Sequence, residues 1–213
     1  LAQWTMRPSF YNIADVEEYG GRVVAFAPHA VFVADYSGDV DIYSKTSRLS
    51  GADISAGYAD KGGQCFIVGY ANGSADMVSG NSTAAIQDIS AGNYLYNRRI
   101  TQITSSNDYY IFSGEFGISF VKKDFSSVYG VCHTDKPVIM CAVNGNTLWA
   151  VTADEILNTD LNNINLQSPD NYTKYEFSIP SGYVLSGIAN ANGSLMVGLY
   201  SSSQNKSEVY ALN

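Results

Sequence analysis

Positive charge is scarce in this chain. Lys and Arg account for only 12 of its 213 residues, against 20 Asp and Glu, for a net charge of −8 and an isoelectric point near 4.6. Nucleic-acid binding draws on clustered cations that displace counterions from phosphates, and the cations here are spread along the chain. The same deficit argues against docking on an anionic bilayer, and no apolar stretch approaches the ~18 residues needed to cross one. Neither nucleic acid nor membrane insertion is expected.

Histidine and cysteine are nearly absent too. His29 and His133 are the two histidines, and neither stands at metal-ligand spacing from a cysteine. His133 lies two residues before Asp135, but no serine in a nucleophile-elbow pattern accompanies them, so a solvated loop histidine is the better reading. Cys65, Cys132 and Cys141 are odd in number and contain no C-x-x-C, which gives neither a disulfide framework nor a zinc site. Cys65 and Cys141 sit in apolar runs and read as buried thiols; a Cys132–Cys141 bridge stays open. No cofactor, no metal and no catalytic residue is expected, and the chain does not read as an enzyme.

What the chain does contain is β-sheet material. The apolar residues are largely Val, Ile, Tyr and Phe, with 16 Tyr and 9 Phe, types that suit a pleated, half-buried surface. Between the apolar runs stand 19 Gly with many Asn, Ser and Asp, the punctuation of tight turns. Turn signals recur at Gly20, Gly62, Asn107, Gly145 and Gly193, at a mean step of about 43 residues, the length of a four-stranded propeller blade. Asn-Gly and Gly-Gly suit two-residue hairpin turns because both central positions tolerate positive φ. After each turn comes a continuously apolar run, such as residues 22–27, 65–70, 109–112, 148–151 and 195–199. A blade's middle strands are covered on both faces by neighbouring blades, which explains that continuity. A β-sandwich would not need the 43-residue recurrence.

The fold class is therefore all-β, a β-propeller with five blades visible. They fall at roughly 13–50, 51–98, 99–136, 137–182 and 183–213 within one domain. The fifth shows three strands, and residues 1–7 are candidates to close it; a closed five-bladed ring and a part of a larger ring both remain open. The opening Leu1-Ala2-Gln3 is of the kind left around a signal-peptidase cut, an indication of export. Polar excursions at 160–172 and 201–207 are expected to be contact loops.

Candidate contact residues fall in the connections between blades. Tyr94, Tyr96, Arg98 and Arg99 precede the third repeat, and Arg48 occupies the equivalent connection one repeat earlier. Arg offers a forked donor for carboxylate or phosphate and Tyr a stacking face for sugars or peptides. Three other patterns carry less. Asp35, Asp39 and Asp41 lack the Gly position and closing Glu of a calcium loop and read as a strand-connecting turn. Residues 114–117 lack the Lys of a phosphate loop. Of five N-x-S/T sequons, at Asn72, Asn81, Asn171, Asn192 and Asn205, two are Asn-Gly turns.

Three segments carry a more specific pattern: WTMRPSFYN at 4–12, YSKTSRLS at 43–50 followed by Ala52-Asp53-Ile54, and FIVGYANGSADMV at 66–78. Together they resemble the N-terminal propeller of PorZ-type proteins, surface components of the bacterial type IX secretion system. The resemblance covers roughly residues 4–125. Arg48 stands where that family has Gly, and Ala75 where it prefers Ile. It implies a non-enzymatic module of a longer protein at the outer membrane surface, with a sortase-like protein and an anionic lipopolysaccharide or glycan as partners. It supplies no set of ligand residues. Propeller sensor domains of hybrid two-component regulators share the Leu-Ser…Ile turn and imply instead a periplasmic glycan sensor. The gene downstream of residue 213 separates the two, through a second propeller and sorting domain or a membrane-spanning helix and kinase.

Overall fold

A computed structural model describes residues 9, 11–62, 64–91 and 96–212. They form five antiparallel sheets, each a meander in sequence order. The first holds β1 (Asp15–Tyr19), β2 (Arg22–Ala27), β3 (Ala30–Ala34) and β4 (Val40–Ser44). The second holds β5 (Ile54–Ala59), β6 (Phe66–Tyr70), β7 (Ala75–Ser79) and β8 (Ser82–Ile86), followed by a single helical turn, α1 (Asp88–Ala91). The third holds β9 (Ile100–Ser105), β10 (Tyr109–Gly114), β11 (Gly117–Lys122) and β12 (Val128–Cys132). The fourth holds β13 (Met140–Asn144), β14 (Thr147–Val151), β15 (Ile156–Asp160) and β16 (Thr173–Tyr175). The fifth holds β17 (Val184–Ala191), β18 (Ser194–Ser201) and β19 (Lys206–Leu212). Each first strand packs on the first strand of the next sheet, β1 on β5, β5 on β9, β9 on β13 and β13 on β17. This is the propeller arrangement the 43-residue repeat anticipates. Residues 1–7, the candidates for completing the fifth sheet, lie outside the described residues.

Three of the five turns follow from their residues; at Gly62 the connection runs instead from Ala59 to Phe66, too long for a two-residue hairpin, and Gly62 takes no positive φ. Gly20 and Gly21 (φ 55° and 74°) and Asn192 and Gly193 (φ 52° and 84°) both take the left-handed pair that a two-residue hairpin needs. At the fourth sheet the central pair is Gly145 and Asn146, one residue later than the Asn-Gly signal suggests, because Asn144 pairs with Thr147. The other departure is Asn107-Asp108. There Ser106 closes the turn, its hydroxyl accepting from the Tyr109 N–H at 3.1 Å, with no positive φ.

Packing sits between sheets. Phe66 meets Tyr19, Phe26 and Tyr43 edge-on, with ring centroids 5.6, 6.3 and 5.1 Å away, and so joins blades 1 and 2. Ile67, Ile103, Phe112 and Val121 join blades 2 and 3. Cys132 and Cys141 share the core between blades 3 and 4. All three cysteines are buried free thiols, so the open Cys132–Cys141 bridge is not formed. Burial pushes Cys132 up to about 11 and Cys141 up to about 12.

The first strands are also stitched by side chains. The Gln102 amide donates to the Cys141 carbonyl (3.2 Å) and accepts from the Cys141 N–H (3.1 Å), acting as a short extra strand against β13. Ser55 donates to the Ile100 carbonyl at 2.7 Å, and Asn190 to the Val143 carbonyl at 2.9 Å. β5, β9 and β17 share a bulge at their second or third residue, opposite Gly69, Ser113 and Gly198. The bulged residue is a hydroxyl each time: Ser55, Thr101 and Ser186. Such a side chain satisfies the carbonyls the bulge frees, as Thr101 does for Ser113 at 3.0 Å.

The 160–172 excursion is anchored rather than free. Leu166 is buried, Gln167 donates to the Tyr129 carbonyl (2.8 Å), and Tyr129 donates to the Ile164 carbonyl (2.8 Å). It therefore docks on blade 3. Asp35 and Asp39 lie in the turn before β4, where the Asp35 carboxylate accepts from the Ser37 N–H and hydroxyl and from the Asp39 N–H, while Asp41 belongs to β4 itself.

Candidate functional site: the connection face of blades 1 to 3

Two chain segments and one turn meet on the face where one blade hands over to the next. They are the connection 45–53 between β4 and β5, the turn 71–74 between β6 and β7, and the stretch after β8 that leads to β9. The turn is fixed by its own chemistry. The Asn72 side-chain oxygen accepts from the Ser74 N–H (3.0 Å) and hydroxyl (2.7 Å), and Gly73 takes φ 86°. Arg98 lies directly against this turn: a Cβ at Gly73 would come within 2.9 Å of the Arg98 carbonyl oxygen.

Beneath the face lies a carboxylate with no exposure to solvent. Asp76 is fully buried in β7, and among the described residues three hydrogen-bond donors hold it in place of a salt bridge. The Ser50 N–H and hydroxyl and the Tyr70 hydroxyl each donate to it at 2.6 Å. A carboxylate that accepts several hydrogen bonds keeps its place in a core where an unsatisfied one does not. Burial, then the neighbouring Asp76, drives the Tyr70 hydroxyl well above the ordinary tyrosine range. Gly51 lies flat on the Tyr70 ring, where a Cβ would sit 2.9 Å from the ring carbons. Ser50, Tyr70 and Asp76 thus lock the 45–53 connection onto blade 2. These are the residues of the Leu-Ser and Tyr-x-Asn-Gly-x-x-Asp patterns, so the motif encodes a joint.

Above that floor the face opens into a cleft of about 360 Å³, lined by Lys45, Ser50, Asp53, Asn72, Ser74 and Gln87 among others. Asp53 takes the left-handed conformation (φ 61°), and its carbonyl accepts from the Ala71 N–H at 3.0 Å, tying the connection to the turn.

The sequence-predicted contact residues divide. Tyr94 lies outside the described residues. Arg98 is half-buried beside the cleft's turn, and Arg99 is exposed, its N–H donating to the Asn97 side chain at 3.0 Å. Tyr96 is exposed in the same connection. Arg48 is half-buried and works as a clasp: its guanidinium stands 5.3 Å from the Tyr43 ring centroid and donates to the Ser82 carbonyl at 3.3 Å. Sequence reasoning misses Lys45, Asp53, Asn72 and Asp76. A signal for Asp76 exists, a lone carboxylate inside a strand otherwise fit for a core.

A second cavity, about 620 Å³, runs between the first strands and is lined by Glu17, Asp60, Lys61, Gln102 and Asn190 among others. Desolvation, with Asp15 nearby, raises Glu17 above the usual carboxylate range. Several of this cavity's polar groups are committed to the inter-strand stitches.

A family model described as the N-terminal β-propeller domain of PorZ, of the type IX secretion system, matches residues 23–173. The chain belongs to this family. The matched span takes in the whole cleft and its floor. Among solved structures, PorZ of Porphyromonas gingivalis, an essential bacterial surface component of that secretion system, superposes with a TM-score of 0.75 at 15% identity. The alignment covers 92% of this chain and 28% of the PorZ chain, so the propeller spans under a third of that structure's length. Raptor of Chaetomium thermophilum (TM-score 0.68, 12% identity, 93% of this chain and 19% of that one) shares the fold. So does the Pan2 WD40 domain of Neurospora crassa (0.59, 9%, 94% and 65%). No curated protein matches the sequence.

Proposed function

We propose that this PorZ-type propeller is a non-enzymatic binding and scaffolding module at the cell surface. It helps bring an anionic lipopolysaccharide to the sortase that attaches secreted cargo. The observation that carries this reading is the placement of cations. In a chain of net charge −8, the connection that abuts the cleft's turn at Arg98 also carries Arg99 and the exposed Tyr96, and Lys45 lines the cleft. Guanidinium groups and an exposed tyrosine suit an anionic glycan, and local cations on an acidic body steer such a ligand to one face. The family match favours this reading over a two-component sensor. Among the described residues no helix is long and apolar enough to cross a membrane.

The test is binding of the immobilised chain to purified lipopolysaccharide with and without its anionic polysaccharide, at low and high salt. Selective, salt-sensitive binding that falls about tenfold in the R98E/R99E double variant is expected. Equal binding of both lipopolysaccharides, or none at low salt, would sink the reading.

A further inference from the structure

The 360 Å³ cleft is small-molecule sized, since ligand pockets run from about 300 Å³ upward. Its lining is unusual for such a pocket. Most are dominated by apolar and aromatic side chains with a few polar anchors, whereas this one is walled by an ammonium, a carboxylate, two amides and two hydroxyls. An occupant must therefore be polar all round.

The free hydrogen-bonding capacity narrows it further. Ser50 spends its hydroxyl on Asp76, and Ser74 spends its own on the Asn72 oxygen. The Ser74 N–H, which can only donate, bonds the same Asn72 oxygen at 3.0 Å, so that end of the amide is the acceptor and its NH₂ group is left without a partner among the described residues. Lys45 and Asp53 are likewise without an ion pair or side-chain bond among the described residues. One cleft thus offers a cation, an amide donor pair and a carboxylate acceptor, all uncommitted. Vicinal hydroxyls donate to a carboxylate and accept from an amide at once, so a sugar ring uses the Asp53–Asn72 pair fully, while Lys45 suits an acidic substituent. The site is also pre-organised. Gly51 rests on Tyr70, Tyr70 is held by Asp76, and Asn72 is held by its turn, so little ordering remains to be done on binding.

We propose that this cleft binds one acidic sugar residue, its ring hydroxyls between Asp53 and Asn72 and its carboxylate or phosphate at Lys45. It rests on the lipopolysaccharide reading only for the natural source of that sugar; the recognition chemistry stands apart from it.

The experiment is an amide NMR titration of the full chain with D-glucuronate and, in parallel, uncharged D-glucose. Saturable shifts confined to 45–53, 71–74 and Gln87 are expected, with glucuronate the tighter. Two near-isosteric variants read the contacts. Asn72→Asp keeps the oxygen that caps Ser74 but removes the NH₂ donors, and should weaken glucuronate about tenfold. Lys45→Met should weaken glucuronate by about the same factor and leave glucose unchanged. Unchanged melting temperatures keep either loss from being a folding effect. Shifts elsewhere, no saturable shift, or variants that bind as the parent does overturn the proposal. Lipopolysaccharide binding separates the two readings. If lipopolysaccharide binds the parent and glucuronate gives no saturable shift in the cleft, the cleft proposal fails and the lipopolysaccharide reading stands. If glucuronate fills the cleft and no lipopolysaccharide binds, the outcome is reversed.

Discussion

Blade 2 and blade 5 carry one strand template in two settings. By the register of their bulges, Phe66, Ile67, Val68, Gly69 and Tyr70 of β6 correspond to Leu195, Met196, Val197, Gly198 and Leu199 of β18. In β6 all five are buried. In β18 burial alternates, with Leu195, Val197 and Leu199 covered by blade 4 and Met196 and Gly198 partly open. The alternate positions of β6 face blade 3, where Ile67 joins Ile103 and Phe112. Those of β18 share a face with Val184, Tyr200 and Val209, all exposed. The strand's residues choose its conformation, and its neighbours decide how much each residue is worth.

The sharpest way to break that comparison is to truncate the paired positions. Ile67 has no solvent exposure, so Ile67→Ala leaves a cavity and should cost about 3–4 kcal/mol. Met196→Ala removes a partly exposed side chain with no second sheet against it among the described residues and should cost about 1 kcal/mol or less. Urea titrations of both variants give the difference. Equal losses would mean that the outward face of blade 5 is packed as well as the interior.

That contrast also marks how much is legible in the sequence. The Gly20-Gly21 and Asn192-Gly193 turns, the 43-residue step and the apolar second strands all depend on local residue chemistry, and sequence reveals them. The joint at Asp76 depends on Ser50, 26 positions away, and on Tyr70 across a turn. Ser50 and Tyr70 alone read as ordinary loop and strand, and the lone carboxylate at Asp76 does not name its partners. Arg48 stands in the connection that sequence indicates, but its partners Tyr43 and Ser82 come from two blades, and only their packing turns a candidate ligand contact into a clasp. The cleft residues Lys45, Asp53 and Asn72 are invisible for the same reason: a cavity belongs to three segments at once.

A subtler pair sharpens the comparison. A Cβ at Gly69 would lie 2.8 Å from Ile100 and 3.2 Å from Ile103 of the next blade. A Cβ at Gly198 would meet only its own sheet, the Ser186 hydroxyl oxygen at 3.0 Å. Neither glycine has positive φ, so the backbone tolerates alanine at both. Gly69→Ala should therefore cost about 1–3 kcal/mol through overpacking. Gly198→Ala should stay within about 0.5 kcal/mol, since the lost glycine entropy of the unfolded chain offsets a small hydroxyl shift. Parallel thermal melts decide it, and a Gly198→Ala loss matching that of Gly69→Ala would show that blade 5 is covered after all.

The smallest expected effects come from carboxylates, and they differ in sign between the first blade and the last. In β1 burial raises Asp15, and burial followed by the Asp15 charge raises Glu17. In β19 Glu208 accepts from Lys206 (2.6 Å), Tyr210 (2.5 Å) and Tyr183 (3.0 Å), which holds it down at about 2. A carboxyl raised on folding binds its proton more tightly in the native state. What Asp15 and Glu17 contribute is present below the ordinary carboxylate range and is lost as pH rises through their folded values. Glu208 runs the other way: its contribution is present above the ordinary range near 4 and is lost as pH falls toward 2. The D15N/E17Q variant should therefore melt higher than the parent at pH 7 and lose that advantage in acid. E208Q should melt lower at pH 7 and converge on the parent near pH 2. Because Glu208 sits at the surface, its bonds compete with water and salt, so added salt should shrink its effect more than that of the partly desolvated β1 pair. If both variants moved in one direction at pH 7, the two blades would share one electrostatic regime, and the contrast between a strand turned inward and a strand left open would fail at its most sensitive point.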